Sequence, residues 1–231
     1  NGTDIRHGCR YNNYGIHGTG FANAADQLAS VRHFVYDREE IDPGRLEEAL
    51  ESDFETDEVL RLLLRREGPK LGRDAEATPA ADFLIDAFAD AFEGLVNERG
   101  GCFRPGTGSA MYYIWHAEAL HATADGRAPG ERLSANFSPS LLTSDAGPLS
   151  VVDAFARPKV GRVVNGGPLT LELHDTVLRN AEGMSKVASL VRGFIRKGGH
   201  QLQVNAVDRQ TLLDAQSHPE AHRNLIVRVW G

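Results

Sequence analysis

The sequence predicts an α/β fold, and three observations carry that prediction. Two short segments, LTLEL (169–173) and QLQVNAV (201–207), alternate apolar and polar residues as half-buried strands do. Between them, Met184, Val187, Val191, Phe194 and Ile195 recur at helical spacing. The chain has 231 residues, 41% hydrophobic and 25% charged, enough to bury a sizeable core.

Each element follows from local chemistry. The stretch RYNNYGIHGTGFANAAD (10–26) is rich in Gly and Asn, which marks a loop needing unusual backbone angles. Asn23 is placed to cap a helix reaching about Tyr36, with Leu28, Val31 and Val35 on one face. Charged helices are expected near 43–52 and 57–66. Thr78-Pro79 signals another start, a capping hydroxyl followed by proline, and this helix carries Leu84, Ala87, Phe88, Ala91, Phe92 and Leu95. RGGCFRPGTGSAMYYIW (99–115) turns sharply and then reads as a strand. The helix after LTLEL ends on Lys197 and Gly198, where the dipole and a left-handed cap favour them. Asp208 caps a short helix, Pro219 follows its end, and Leu225–Trp230 reads as a last strand before Gly231.

Composition narrows the partners. A net charge of −7 argues against binding nucleic acid or an anionic membrane surface. The sequence has no basic block, secretory signal or bilayer-length apolar run. Its two cysteines, Cys9 and Cys102, are far apart and lack metal-ligand spacing, so a reducing cytoplasm is the simplest setting and no metal is assigned. Gly106-Thr107-Gly108 lacks the remainder of a phosphate loop, so a tight turn is expected there. His116 and His121 flank Glu118 without forming a zinc-helix pattern. Gln201, Gln203 and Asn205 share a strand face that would either line a channel or meet solvent. Asn1 at one end and a strand stopping on glycine at the other suggest a piece of a longer protein.

GGHQLQVNAVDRQTLLDAQSHPEAHRNLIVRVWG (198–231) resembles the glycyl radical domain of the pyruvate formate-lyase superfamily. Similar family-like stretches are YGIHGTGFANAADQLASVR (14–32), RPGTGSAMYYIWHAE (104–118), DGRAPGERLSANFSPS (125–140) and NGGPLTLELHDTV (165–177). The resemblance implies the carboxy-terminal half of a ten-stranded barrel, two antiparallel five-stranded half-barrels surrounded by helices. It divides the chain into a barrel part, 1–110, and a glycyl radical domain, 111–231, truncated at the radical glycine. Gly231 matches the residue on which the family stores its radical. The chemistry needs glycine: delocalising an unpaired electron over both flanking peptide groups flattens the α-carbon, and a Cβ would crowd that arrangement.

The resemblance further implies that an activating enzyme using S-adenosylmethionine and an iron–sulfur cluster installs the radical, and that this chain itself binds no cofactor. The glycyl radical then oxidises a cysteine to a thiyl, which attacks a small-molecule substrate. Neither Cys9, with Tyr11 two residues on, nor Cys102, with Arg104, fits the family's cysteine loop, so the thiyl residue is expected upstream and this piece alone is expected to be inactive. In the arylacetate decarboxylase branch a histidine and a glutamate at comparable positions meet the substrate, which makes His17 and Glu118 candidate pocket residues. The competing readings are a loop histidine satisfying a carbonyl and a solvated glutamate. The implied activity is anaerobic radical cleavage or elimination of a C–C, C–O or C–N bond in a small metabolite, of decarboxylase, dehydratase or lyase type, by an enzyme that is a homodimer at full length. The alternatives are formate C-acetyltransferase, against which Trp230 stands, and a non-catalytic part that replaces a damaged radical domain.

Overall fold

Four helix starts are set by side chains that accept the otherwise orphaned first-turn amides. A computed structural model describes residues 2, 4–143 and 147–225. Asp42 accepts the Arg45 N–H at 3.1 Å and opens α2 (Pro43–Glu51), with proline in its first turn. Asp57 does the same for Leu60 at 3.0 Å and opens α3 (Glu58–Glu67). Asn180 accepts the Gly183 N–H at 2.8 Å at the head of α7 (Ala181–Arg196). Asp208 takes both the amide and the hydroxyl of Thr211 as α8 (Arg209–Ser217) begins.

Other helices depart from expectation. Asn23 does not cap α1, which spans Phe21–Val31 and begins after Gly20 in a left-handed conformation. Asn23 is buried inside the helix, where Nδ2 donates to Asp125 and Oδ1 accepts the Ser134 N–H. The helix continues as a wider π turn over Arg32–Asp37. Thr78 is the first residue of α4 (Thr78–Phe92) and makes no capping bond. The deepest stripe of α4 is Ala81, Ile85 and Ala89, one position round from the expected one, and Leu95 lies beyond the helix end, exposed. Residues 112–118 form α5 (Tyr112–Glu118) rather than a strand. Tyr112 meets Trp115 and His116, three and four residues on, with ring centroids 5.4 and 5.2 Å away.

The strands are short. β1 (Tyr14–His17) pairs in parallel with β2 (Phe103–Gly106), and β3 (Leu169–Glu172) pairs in parallel with β4 (Leu202–Asn205). Parallel neighbours need long crossovers, and α1 to α4 and α7 supply them. The described residues thus form two two-stranded sheets, so the barrel is not assembled within them. α6 (Pro148–Ala156) lies over β3 and α7. Small residues let α1 approach closely: Ala22, Ala25 and Ala29 join Ala81 and Ile85 in one core. That core continues past residue 110 through Phe137, Phe155, Leu169 and Phe194. A second core holds Phe34, Ile41, Phe54, Leu60 and Leu64.

Residues 119–143 carry no helix or strand, yet much of the segment is buried. Polar groups fix it. The Arg127 guanidinium donates to the carbonyls of Ala128, Glu131 and His121. Asp125 accepts from Asn23 and Thr123. Irregular backbone needs such partners once it leaves water.

Candidate functional site

Because β1 and β2 run parallel and in register, both end at the same edge, with His17 opposite Gly106. The chain leaving β2 passes the ring, and the Gly108 N–H donates to His17 Nδ1 at 3.0 Å. The tight turn expected at Gly106-Thr107-Gly108 does not form: Gly106 ends β2, and Thr107 and Gly108 continue as irregular backbone held by the His17 ring and by Gly166 O. A Cβ on Gly108 would lie 2.9 Å from Nδ1, and one on Gly106 would lie 3.0 Å from Cε1, so these glycines admit the imidazole. Packing desolvates the ring and lowers its pKa below the ordinary histidine value.

A turn, Asn165-Gly166-Gly167, docks on the same edge. The Asn165 N–H donates to Pro105 O at 2.9 Å, and Gly166 O accepts the Thr107 N–H at 2.8 Å. The Asn165 amide meets His17 Nε2 at 2.7 Å. Gln201, just before β4, accepts the Gly167 N–H at 3.1 Å. Gly166 has a φ of +94°, and a Cβ there would sit 2.6 Å from the Gln201 amide oxygen. The His200 ring packs 5.4 Å from Phe155, and desolvation lowers its pKa against the pull of a hydrogen bond to Gly167.

The expected residues fall in different places. His17 stands at this edge, whereas Glu118 closes α5 with an exposed side chain. No hydrogen bond or ion pair joins the two among the described residues. Gly231, together with 226–230 of the expected last strand, lies outside the described residues. Cys9 is exposed and Cys102 half-buried, its Sγ 3.3 Å from Asn13 Oδ1. His121 pairs with Asp53 at 3.0 Å. Among the described residues no group of three or more His, Cys, Asp or Glu is arranged to hold a metal, and no helix is long and apolar enough to cross a membrane. Local reasoning passes over Asn165 and the Gly108 amide. The one available signal is the Asn-Gly-Gly-Pro run at 165–168, which marks a turn without naming its target.

A family model described as Pyruvate formate lyase-like matches residues 1–116, and one described as Glycine radical matches residues 133–231. Trans-4-hydroxy-L-proline dehydratase of Clostridioides difficile is 30% identical over 228 residues, 98% of this chain and 29% of that protein. Probable dehydratase YbiW of Escherichia coli (strain K12) is 32% identical over 226 residues, 92% of this chain and 27% of its own length. The solved B12-independent glycerol dehydratase from Clostridium butyricum, in its glycerol-bound form, superposes with a TM-score of 0.87 at 31% identity, covering 96% of this chain and 28% of that one. The chain thus spans less than a third of the length of these relatives.

Proposed function

The chain belongs to the glycyl radical enzymes of the pyruvate formate-lyase superfamily, and from that premise we propose that it is the radical-bearing part of an enzyme eliminating or cleaving a C–O, C–C or C–N bond in a small metabolite. The observation that carries this reading is the succession of the two family matches, the second running to Gly231. Relatives named as dehydratases of a hydroxyproline and of glycerol favour dehydration of a hydroxylated substrate.

In this reading Gly231 holds the radical, installed by an S-adenosylmethionine-dependent activating enzyme. A cysteine outside this chain, as a thiyl, takes a hydrogen atom from the substrate carbon. The adjacent C–O bond then breaks as the hydroxyl leaves with a proton, and the thiol returns its hydrogen atom to the product radical. His17 contributes as a neutral ring at the pocket edge, which its lowered pKa supports; with Gly108 and Asn165 on its two nitrogens, a substrate hydroxyl engages Nε2–H only by sharing it with Asn165 or displacing that residue. Glu118 would close the pocket only with neighbouring sequence around it. The ten-stranded barrel, a homodimer and a cytoplasmic setting belong to the same proposal.

The test is electron paramagnetic resonance. Full-length protein incubated without oxygen, with its activating enzyme and S-adenosylmethionine, gives a glycyl radical signal, and Gly231→Ala gives none. Silence of the wild-type protein, or an undiminished signal in the variant, overturns the assignment.

A further inference from the structure

His17 and Asn165 are 148 positions apart, one within the Pyruvate formate lyase-like match and the other within the Glycine radical match. Their contact settles the state of the ring. A neutral imidazole has one N–H and one lone pair. The Gly108 N–H is fixed by the backbone and uses the lone pair of Nδ1, so the ring proton sits on Nε2. An Asn165 N–H aimed at Nε2 would set donor against donor. The 2.7 Å contact runs from Asn165 Nδ2, and exchanging the amide's oxygen and nitrogen relieves the conflict: Oδ1 then faces the ring and accepts from Nε2–H.

We propose that Asn165 is a positioning residue: it holds the Nε2–H of His17, and does so only while the 165–167 turn is docked on the ends of β1 and β2. The candidate pocket histidine is then oriented by the same unit that leads in sequence to Gly231. Four ties converge on the turn: Asn165 N–H to Pro105, Thr107 N–H to Gly166, Gly167 N–H to Gln201, and the ring bond itself. The approach depends on glycine, because a Cβ on Gly167 would lie 2.8 Å from Gly108 N. A Cβ on Gly15 would strike the Asn165 amide directly. When the turn lifts, the Gly108 bond keeps the tautomer but the Nε2–H loses its acceptor and the ring its second restraint. The catalytic meaning of this arrangement rests on the pocket role proposed above for His17.

The experiment reads the ring itself, in full-length protein labelled with 15N-histidine and not activated. His17→Gln identifies the His17 signals by their disappearance. The wild-type ring is expected to show a pyridine-type Nδ1 and a pyrrole-type Nε2 whose proton exchanges slowly with solvent. Asn165→Leu, which removes the acceptor, is expected to speed that exchange at least tenfold. Asn165→Asp restores an acceptor and restores protection. Gln201→Ala touches neither ring nitrogen, yet it loosens the turn and speeds the same exchange. If Asn165→Leu does not fold, as judged by thermal unfolding, Asn165→Ser replaces it, its hydroxyl too short to reach the ring. A proton on Nδ1 in the wild type overturns the proposal, as does unchanged exchange in the acceptor-free variant or in Gln201→Ala. No radical is required, so a silent resonance experiment would sink the enzymatic reading and leave this result standing.

Discussion

Arg65 grips Glu131 with both terminal nitrogens, Nη1 to Oε2 and Nη2 to Oε1, each at 2.8 Å. The fork ties α3 to the irregular 119–143 segment, and Glu131 Oε2 also accepts the Ala128 N–H at 3.0 Å. Bidentate pairs of this kind have more geometric specificity than single contacts, and partial burial limits their screening. The Arg65 hydrogen bonds hold the Glu131 carboxyl below its ordinary pKa. A depressed carboxylate contributes its full stabilisation above its unfolded pKa and loses it as pH falls through the folded value. Glu131→Gln is therefore expected to lower stability by about 1 kcal/mol at pH 7. Urea titrations at pH 7 and pH 3 check this, because the gap between variant and wild type should close at the acid end.

Asp26 gives the opposite slope. It is fully buried, accepting the Leu71 N–H at 2.6 Å and the Ser140 hydroxyl at 2.7 Å. Burial pushes its pKa up to about 7, and the charge of Asp125 adds to the rise. The two hydrogen bonds and the cationic Lys70 act in the other direction. The folded state thus binds a proton more tightly than the unfolded chain, so this contribution is complete below the unfolded pKa and fades as pH rises to about 7. Asp26→Asn keeps an oxygen for Leu71 and an N–H for the Ser140 oxygen without a charge. It is expected to match or exceed wild-type stability at pH 8, on the order of 1 kcal/mol, and to flatten the profile between pH 4 and 7. Asp26→Leu strands both donors and is expected to lose about 2–4 kcal/mol. Denaturant midpoints across that range distinguish the two.

These two carboxylates mark the limit of what the sequence reveals. Asp208 reads as a cap from the sequence, and Asp42, Asp57 and Asn180, passed over there, act in the same local way, each meeting an amide three residues on. Asn23 has the same side-chain chemistry, but its partners lie 102 and 111 positions away, and no local pattern reports them. The aromatic run at 112–115 suits a strand by composition. The structure makes it a helix, whose i,i+3 and i,i+4 spacing brings the Tyr112, Trp115 and His116 rings together. At the candidate site, His17 stands out as a polar residue among glycines. Its state depends on a backbone amide and on Asn165 across the fold, neither of which has a one-dimensional signature.

Gly126 and Gly130 share a left-handed backbone, with φ of +85° and +69°, but not the same surroundings. A Cβ on Gly126 would meet the α3 backbone at Arg65 N, at Arg65 Cα (2.6 Å) and at Arg61 O (2.7 Å). Nothing lies within 4 Å of the equivalent atom on Gly130. Gly130→Ala is therefore expected to lose only the conformational term, about 1 kcal/mol. Gly126→Ala adds displacement of a helix from the 119–143 segment and is expected to cost about 2–4 kcal/mol. Thermal unfolding of the pair is the check, and equal losses would mean that α3 yields freely.

Cys9 and Cys102 test where the proposed thiyl chemistry resides. A serine hydroxyl holds its hydrogen too strongly to replace a thiol as hydrogen-atom carrier, so Cys→Ser abolishes turnover wherever the cysteine is the one oxidised. Cys9 is exposed, its Sγ 3.9 Å from Ile5 O in the same short turn, which offers no protection to a reactive radical. Cys102 is held by Asn13, whose Oδ1 accepts both its amide and its thiol. That is a structural role at the start of β2, and a serine hydroxyl can fill it. The combined Cys9→Ser/Cys102→Ser variant of the full-length protein is expected to keep the proposed glycyl radical signal and the wild-type turnover. It is also expected to stay within about 0.5 kcal/mol of wild-type stability. Loss of turnover with the radical signal intact would place the thiyl residue in this chain and overturn the expectation that it lies elsewhere in the protein.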